Sequence, residues 1–239
     1  MFDIGTGARY FGLTWPQDRS FDGVCLLSHL HWDHVQGLPF FGPVLRPGSR
    51  LELHAPIQPP GSSLEAVVLG MLCPPLFPIG VADLPGEIRL VEHGDEDFGI
   101  GDVEVSARLI PHLGATLGYR LSWGGASVAY LSDHQQPGID VYDATANARE
   151  LCQGVDVLIH DAQYTRPEFE RKSTWGHCTT EYAVWLALEC GVSTLVLYHH
   201  DPLHDDDQLD GLLAASIEQA GGRLEVVGAR EGLTMRVGR

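Results

Sequence analysis

The sequence predicts an α/β fold with a strand-rich first half. Short apolar runs, typical of strands, recur along the chain. Two late runs, at residues 155–159 and 194–198, are apolar apart from Asp156 and Thr194, as expected for strands covered on both faces. Helical patterns follow these two runs, at 180–190 and 208–220. Strands that alternate with helices in this way indicate a sheet with parallel strands.

The earlier strands are predicted at 24–27, 51–54, 88–91, 103–110, 119–123 and 127–131. The last two of these flank Gly124 and Gly125, which is a strong hairpin signal. Residues 56–86 are rich in Pro and Gly and are predicted to be irregular, with a short helix near 64–72.

The end of the chain carries clear helix signals. Gly191 follows the helix predicted at 180–190 and suits its C-terminal cap. Three aspartates at 205–207 precede the helix at 208–220, where carboxylates are favoured by the positive end of the helix. Two closing strands are predicted near 224–227 and 233–237.

Composition limits the classes of function. The 239 residues suit one domain over 1–239. Five cysteines without a C-x-x-C pair indicate a reduced, cytoplasmic protein. There is no apolar run of the ~20 residues that a membrane helix needs. The formal charge of −17 disfavours nucleic acid as a partner and is compatible with a small anionic substrate.

Metal-type residues cluster in "SHLHWDH", directly after the strand at 24–27. His29, His31, Asp33 and His34 offer imidazoles and a carboxylate, which suit Zn²⁺ and similar ions. Three later candidates also follow apolar strands: His112, Asp133 and His199. Strand ends that meet at one sheet edge are where α/β folds assemble sites, so these residues predict a metal centre.

The signature resembles H-x-H-x-D-H of the metallo-β-lactamase superfamily. Further segments resemble, in order, the branch that contains ribonuclease Z and cyclic-nucleotide phosphodiesterases: "FDIGTG", "HLGATLGYRL", "YLSDH", "LIHDAQY", "WGHCTTEYAVWLA" and "LVLYHHDP". The resemblance covers nearly the whole chain. It implies a four-layer αβ/βα sandwich with a dinuclear metal site and a hydroxide shared by the two ions.

The resemblance also implies a ligand set, in which Asp133 bridges the two ions. The ligands of the first metal would be His29, His31 and His112. The ligands of the second would be Asp33, His34 and His199. Zinc is the first expectation for both ions, with manganese, iron or nickel as alternatives. His200 stands beside His199, and a shift of one residue would exchange the two.

Two further residues resemble catalytic groups of the ribonuclease Z branch. His177 would assist the leaving group, and Asp161 would orient His177. Asp33 is predicted to be catalytic in addition to binding metal. The alternative for His177 is a helix cap. Asp161 replaces a longer Glu, which predicts a looser pair. Cys178 replaces a Ser and is expected to be a buried thiol.

The predicted function is that of a metal-dependent hydrolase, a phosphodiesterase for small nucleotide-like or other organic phosphodiesters. One alternative is a ribonuclease Z-like RNA-processing nuclease, although no Gly/Lys-rich arm lies between Asp133 and His177. The other alternative is a non-catalytic metal-binding sensor.

The "FDIGTG" turn lies very near the start of this sequence. In the superfamily, one or two strands precede this turn. Their apparent absence predicts an exposed sheet edge, which is a liability. We therefore expect lowered stability or pairing with a second copy as a homodimer.

Overall fold

The computed structural model describes every residue except Arg239. Contacts within the chain divide it into two compact units, Met1–Gly94 and Asp95–Arg239. The described residues form ten strands and seven α-helices, so the α/β class is confirmed. The single domain over residues 1–239 stays a prediction.

The first unit is built on a parallel sheet of three strands: β1 (Asp22–Leu26), β2 (Arg50–Pro56) and β3 (Glu87–His93). The strand β2 lies in the centre, with Leu53 opposite both Cys25 and Leu90. Phe2 forms one parallel bridge with Leu26. This bridge places the "FDIGTG" turn beside the end of β1, where the histidine signature begins.

Three helices accompany this sheet: α1 (Gly7–Thr14), α2 (Trp32–Val35) and α3 (Leu64–Met71). Leu64 and Val68 of α3 share one buried cluster with Leu51 and Leu53 of the central strand. Burial of such aliphatic side chains contributes roughly 1.5–3 kcal/mol each, which holds the strand ends in place.

The second unit contains a sheet of seven strands: β4 (Glu96–Ile100), β5 (Val103–Leu109), β6 (Leu117–Trp123), β7 (Ala126–Leu131), β8 (Val157–Asp161), β9 (Thr194–Tyr198) and β10 (Glu225–Gly228). Their spatial order is β10-β9-β8-β7-β6-β5-β4. Strands β4 to β7 are antiparallel neighbours, and β7 to β10 are parallel. Gly124 and Gly125 connect β6 to β7 with φ of +58° and +83°, values that favour glycine at both positions.

The parallel strands of this sheet bring their carboxyl ends to one edge. Leu131 at the end of β7 lies opposite His160 of β8, and Asp161 lies opposite Tyr198 at the end of β9. The residues that follow these strands therefore start from the same edge, as predicted.

Four helices belong to this unit: α4 (Ala146–Cys152), α5 (Arg166–Lys172), α6 (Thr180–Glu189) and α7 (Asp206–Ala220). Buried residues of α4 and α6, including Leu151 and Leu186, form one cluster with Leu158 and Leu195 of the central strands. This cover explains the apolar residues Val157–Ile159 of β8 and Leu195–Leu197 of β9.

Most predicted elements are confirmed within a few residues, but the strand predicted at 233–237 is wrong. That segment is irregular and mostly exposed. The described sheet ends at β10, and residues 233–237 do not pair with its outer edge, so their apolar alternation does not form a strand.

Four elements escaped the sequence analysis: α1, β4, α4 and α5. Helix α1 has the sequence GARYFGLT, whose two glycines lower helix propensity. A side chain at Gly12 would collide with Phe41 and Pro43, so close packing compensates for its poor propensity. Helices α4 and α5 are short, and Thr145 and Thr165 cap them locally.

Candidate metal centre and acid–base pair

The signature histidines lie just beyond the end of β1. His29 is buried, and its Nε2 lies 2.8 Å from Nδ1 of His31. The other nitrogen of His29, Nδ1, is 3.0 Å from Oγ of Ser28. A distance of 2.8 Å between two imidazole nitrogens is a hydrogen bond, with one proton shared by the two rings. The two nitrogens are also close enough to each other to serve as donors to a single zinc ion. The pair therefore fits two ligands of one ion.

Asp3 orients the last histidine of the signature. Its Oδ2 lies 2.7 Å from Nδ1 of His34, and its Oδ1 accepts the backbone N–H of Ser28 at 2.6 Å. The Nε2 of His34 faces Asp33 Oδ2 at 3.2 Å. A carboxylate on one imidazole nitrogen is the usual support for a histidine that binds metal through the other.

Sequence reasoning missed this role of Asp3, although it noted the "FDIGTG" turn. The turn packs tightly against the signature: a Cβ at Gly5 would collide with the backbone oxygen of Asp33, and one at Gly37 with that of Gly5. The two glycines thus permit the approach that lets Asp3 reach His34. The turn motif drew attention to this segment, but the sequence did not indicate that Asp3 would contact His34.

In the second unit, Asp133 lies between two imidazoles. Its Oδ2 is 3.6 Å from Nε2 of His112, and its Oδ1 is 3.6 Å from Nε2 of His199. The carboxylate is almost fully buried. Each oxygen of this carboxylate therefore faces a different candidate ligand.

His112 and His199 are held in different ways. The Nδ1–H of His112 donates to the carbonyl oxygen of Gly176 at 2.7 Å, which leaves its Nε2 directed toward Asp133. His199 has a backbone φ of +55°, a strained value for a residue other than glycine. Of the two adjacent histidines, it is His199 that faces Asp133; His200 is partly buried, and burial lowers its pKa.

Asp161 and His177 form a close pair at the same edge. The Nδ1 of His177 lies 2.8 Å from Oδ2 of Asp161. The buried carboxylate also accepts backbone N–H groups from His134, Gln163 and Cys178. The looser pair expected from Asp in place of Glu is therefore wrong, because the backbone brings the shorter side chain within hydrogen-bonding distance.

His177 lies close to the ligand candidates as well. One ligand atom from each of His112, Asp133 and His177 falls within 4.8 Å of the others, and so does one from each of Asp161, His177 and His199. These donor sets, of imidazole and carboxylate, fit zinc and similar divalent ions. The geometry alone leaves His177 able to act as an acid or as a ligand.

Two buried histidines, His134 and His160, lie beside Asp161 and contact each other. The Nδ1–H of His160 donates to the backbone oxygen of Asp161 at 2.7 Å, so its Nε2 accepts from Nδ1–H of His134 at 2.9 Å. Burial lowers the pKa of both imidazoles, which keeps them neutral. Each histidine follows a predicted strand, but no local pattern of the sequence indicates that the two side chains contact each other.

Cys178 is a buried thiol, as expected. Its side chain is fully buried, and its Sγ donates to the backbone oxygen of Asp161 at 3.1 Å. Burial raises the pKa of the thiol well above its ordinary value, with Asp161 as a further cause. The uncharged thiol is a poor nucleophile, so it has a packing role beside Asp161 and His177.

Comparison with known proteins agrees with this geometry. The family model described as "Beta-lactamase superfamily domain" matches residues 13–200. A ribonuclease Z of Brevibacillus brevis is 25% identical over 259 aligned positions, which cover 88% of this chain and 78% of that protein.

Two solved structures have the same fold. Zn²⁺-bound PqqB of Methylobacterium extorquens superposes with a TM-score of 0.67 at 19% identity, covering 98% of this chain and 81% of that chain. A diphosphatase of the PhnP family also gives 0.67, at 17% identity, covering 99% and 79%. The predicted metallo-β-lactamase fold is confirmed, and the chain belongs to the beta-lactamase superfamily as a hydrolase of that fold.

Proposed function

We propose that this hydrolase is a metal-dependent phosphodiesterase for small nucleotide-like or other organic phosphodiesters. The proposal includes two divalent ions, zinc in the first instance. Their ligands are those that the family resemblance assigns: His29, His31, Asp33, His34, His112, Asp133 and His199. Imidazole and carboxylate donors, with Asp3 and Gly176 as hydrogen-bonding supports, suit that metal.

The acid–base pair is the observation that carries the proposal. A divalent ion, when bound, supplies Lewis acidity and makes water a nucleophile at neutral pH. It does not protonate the departing alkoxide, so an acid is needed. His177 has its Nδ1 committed to Asp161 at 2.8 Å, which leaves Nε2 to hold and deliver that proton.

Asp161 has a supporting role in this proposal. Its carboxylate fixes the ring of His177 through the contact with Nδ1. Because it accepts three backbone N–H groups as well, the carboxylate itself cannot turn away. This preorganisation is what an acid near a leaving group requires.

The test is a substrate panel on zinc-loaded protein. We expect turnover of bis(p-nitrophenyl) phosphate and of at least one cyclic nucleotide, and negligible turnover of thioesters and lactones. A protein that hydrolyses only thioesters or lactones would have another substrate class. A metal-loaded protein inactive on the whole panel would favour the sensor alternative.

RNA is the second candidate substrate, because the curated relatives include ribonuclease Z. This relationship weakens the expectation that nucleic acid is excluded. Against it stand the formal charge of −17, which repels a polyanion, and the missing Gly/Lys-rich arm. We expect no useful cleavage of precursor transfer RNA at physiological salt; efficient 3′-end processing would replace the small-substrate proposal.

Among residues 1–238, none of the helices combines the length and the apolar character that crossing a bilayer takes.

A further inference from the structure

Lys172, the last residue of α5, connects several parts of the second unit. Its Nζ lies 2.7 Å from Oδ2 of Asp201, a carboxylate that is only 6% exposed. The same ammonium lies 4.7 Å from the ring centroid of Tyr164 and 5.6 Å from that of Trp175. An ion pair with one buried member is costly to break, because the remaining charge loses its partner.

A second link joins the same two segments one helical turn earlier. The carboxylate of Glu168 lies 3.0 Å from Nε2 of His204, whose side chain is 1% exposed. Glu168 also accepts from the backbone N–H and the hydroxyl of Thr165, which caps α5. Glu168 therefore holds both the start of α5 and the loop after β9.

The two links join the segments that carry the candidate acid and the last candidate ligand. Helix α5 runs directly into residues 173–179, which contain His177. Asp201 and His204 lie in the loop that begins with His199. The rings of His177 and His199 stack with centroids 5.1 Å apart and planes 13° apart.

Tyr164 contacts both His177 and Lys172. Its buried ring meets His177 edge-on, with centroids 5.5 Å apart, and its own face is covered by the Lys172 ammonium. Displacement of Lys172 would thus loosen Asp201, Tyr164 and Trp175 together.

We propose that Lys172, with the Glu168–His204 pair, positions the imidazole of His177 relative to His199. Lys172 acts through Tyr164, Trp175 and Asp201 and does not touch the substrate. The catalytic part of this inference rests on the proposed function, since it assumes that His177 protonates the leaving group. The structural part does not: it concerns only how firmly two segments are held.

The first experiment needs no substrate. Hydrogen exchange of residues 173–179 and 199–204 is measured on the zinc-loaded wild type, Lys172→Met and Arg171→Met. Arg171 is an exposed neighbour on α5 and loses the same charge. We expect at least about tenfold faster exchange in both segments for Lys172→Met only; equal exchange in the three proteins would overturn the proposal.

The second experiment measures positioning. Lys172→Met should lower kcat for an alkyl phosphodiester by about 10–100-fold, the cost of a displaced catalytic group, and that for a nitrophenyl ester by much less. Lys172→Arg should recover part of the loss because it keeps the charge. A loss that is equal for both leaving groups, or that Arg171→Met reproduces, would exclude positioning of the acid.

A further variant covers the case in which Lys172→Met does not fold. His204→Leu keeps the cap that Glu168 forms and removes only the second link. We expect the same segments to exchange faster and the same leaving-group dependence, and unchanged behaviour would count against the inference. Failure of the proposed function gives a different result: no phosphodiester turnover in the wild type, with the exchange pattern intact.

Discussion

His177 directs one ring nitrogen, Nδ1, at the carboxylate of Asp161. The 2.8 Å contact with a carboxylate that is itself held by three backbone N–H groups sets the orientation of the ring. Its neighbours Asp133 and His199 explain why the same ring also lies within reach of an ion. At the scale of single residues, substitution of His177 distinguishes a role as an acid from a role as a metal ligand.

His177→Ala should keep its metal and lose activity by about 10²–10⁴, the usual contribution of a positioned acid. The loss should be small for a nitrophenolate leaving group, which needs little protonation, and largest for an alkoxide. Asp161→Asn should show a smaller loss of the same kind. Metal analysis and kinetics on both substrates check this; loss of metal would make His177 a ligand, and an equal loss for both substrates would make it a binding residue.

Asp133→Ala should lose both metal retention and turnover, because each of its oxygens faces a different candidate ligand at 3.6 Å. The wild type should retain close to two ions per chain.

His199→Ala should impair activity far more than the matched variant His200→Ala. Elemental analysis and turnover measurements check these two variants and Asp133→Ala. Full metal occupancy in Asp133→Ala would contradict the dinuclear proposal. A larger loss of activity in His200→Ala than in His199→Ala would make His200 the last ligand.

At the scale of elements, short backbone segments orient the candidate ligands. The loop before α6 is one example. Gly176 has φ of +98°, and its carbonyl oxygen accepts from His112. A Cβ at this position would overlap the imidazole of His112. The glycine therefore serves both the backbone conformation and the close approach of a candidate ligand.

Gly176→Ala should weaken zinc binding by about 10–100-fold, the range seen when a ligating histidine loses its supporting partner. Gly61→Ala is the matched control: its φ of +93° is similarly strained for alanine, but no atom lies near the added methyl group. Zinc affinity by chelator competition, with circular dichroism as a check on folding, measures the difference. Similar affinity losses in both variants would assign the effect to backbone strain alone.

At the scale of the whole chain, buried histidines make the fold sensitive to acid. Burial lowers the pKa of His134 and of His160, whereas an unfolded chain has a value of about 6.5. At pH 7.5 both imidazoles are neutral in either state. Below about pH 6.5 the unfolded chain takes up protons that the folded chain does not, so the free energy of unfolding falls as pH falls.

The metal-free protein should lose up to about 1.4 kcal/mol of stability per pH unit for each of these histidines, until the pH reaches their folded pKa values. The double variant His134→Gln/His160→Gln should show a correspondingly flatter dependence. Urea unfolding between about pH 7.5 and 5.5 tests this. An unchanged slope in the double variant would mean that other groups cause the acid sensitivity.

Much of the fold was predictable because hydrophobic patterns are local. Strands β7 and β9, which lead into the site, are largely apolar runs, and the hairpin glycines and the cap at Gly191 have local signatures. Helix α1 was not predictable, since its glycines argue against a helix and only contacts at Gly12 favour it. The strand expected at 233–237 failed for the opposite reason: its pattern was suitable, but no described strand pairs with it.

By itself, the sequence determined the family, the ordered set of candidate ligands and the strand ends from which they project. These properties depend on residue type and spacing, which the sequence gives directly. Only the tertiary structure decided that Asp3 supports His34, that Gly176 supports His112, that His199 rather than His200 faces Asp133, and that Lys172 reaches Asp201. Each of these contacts joins side chains or loops whose orientation depends on backbone dihedrals and on packing between distant segments, and local sequence patterns do not specify either.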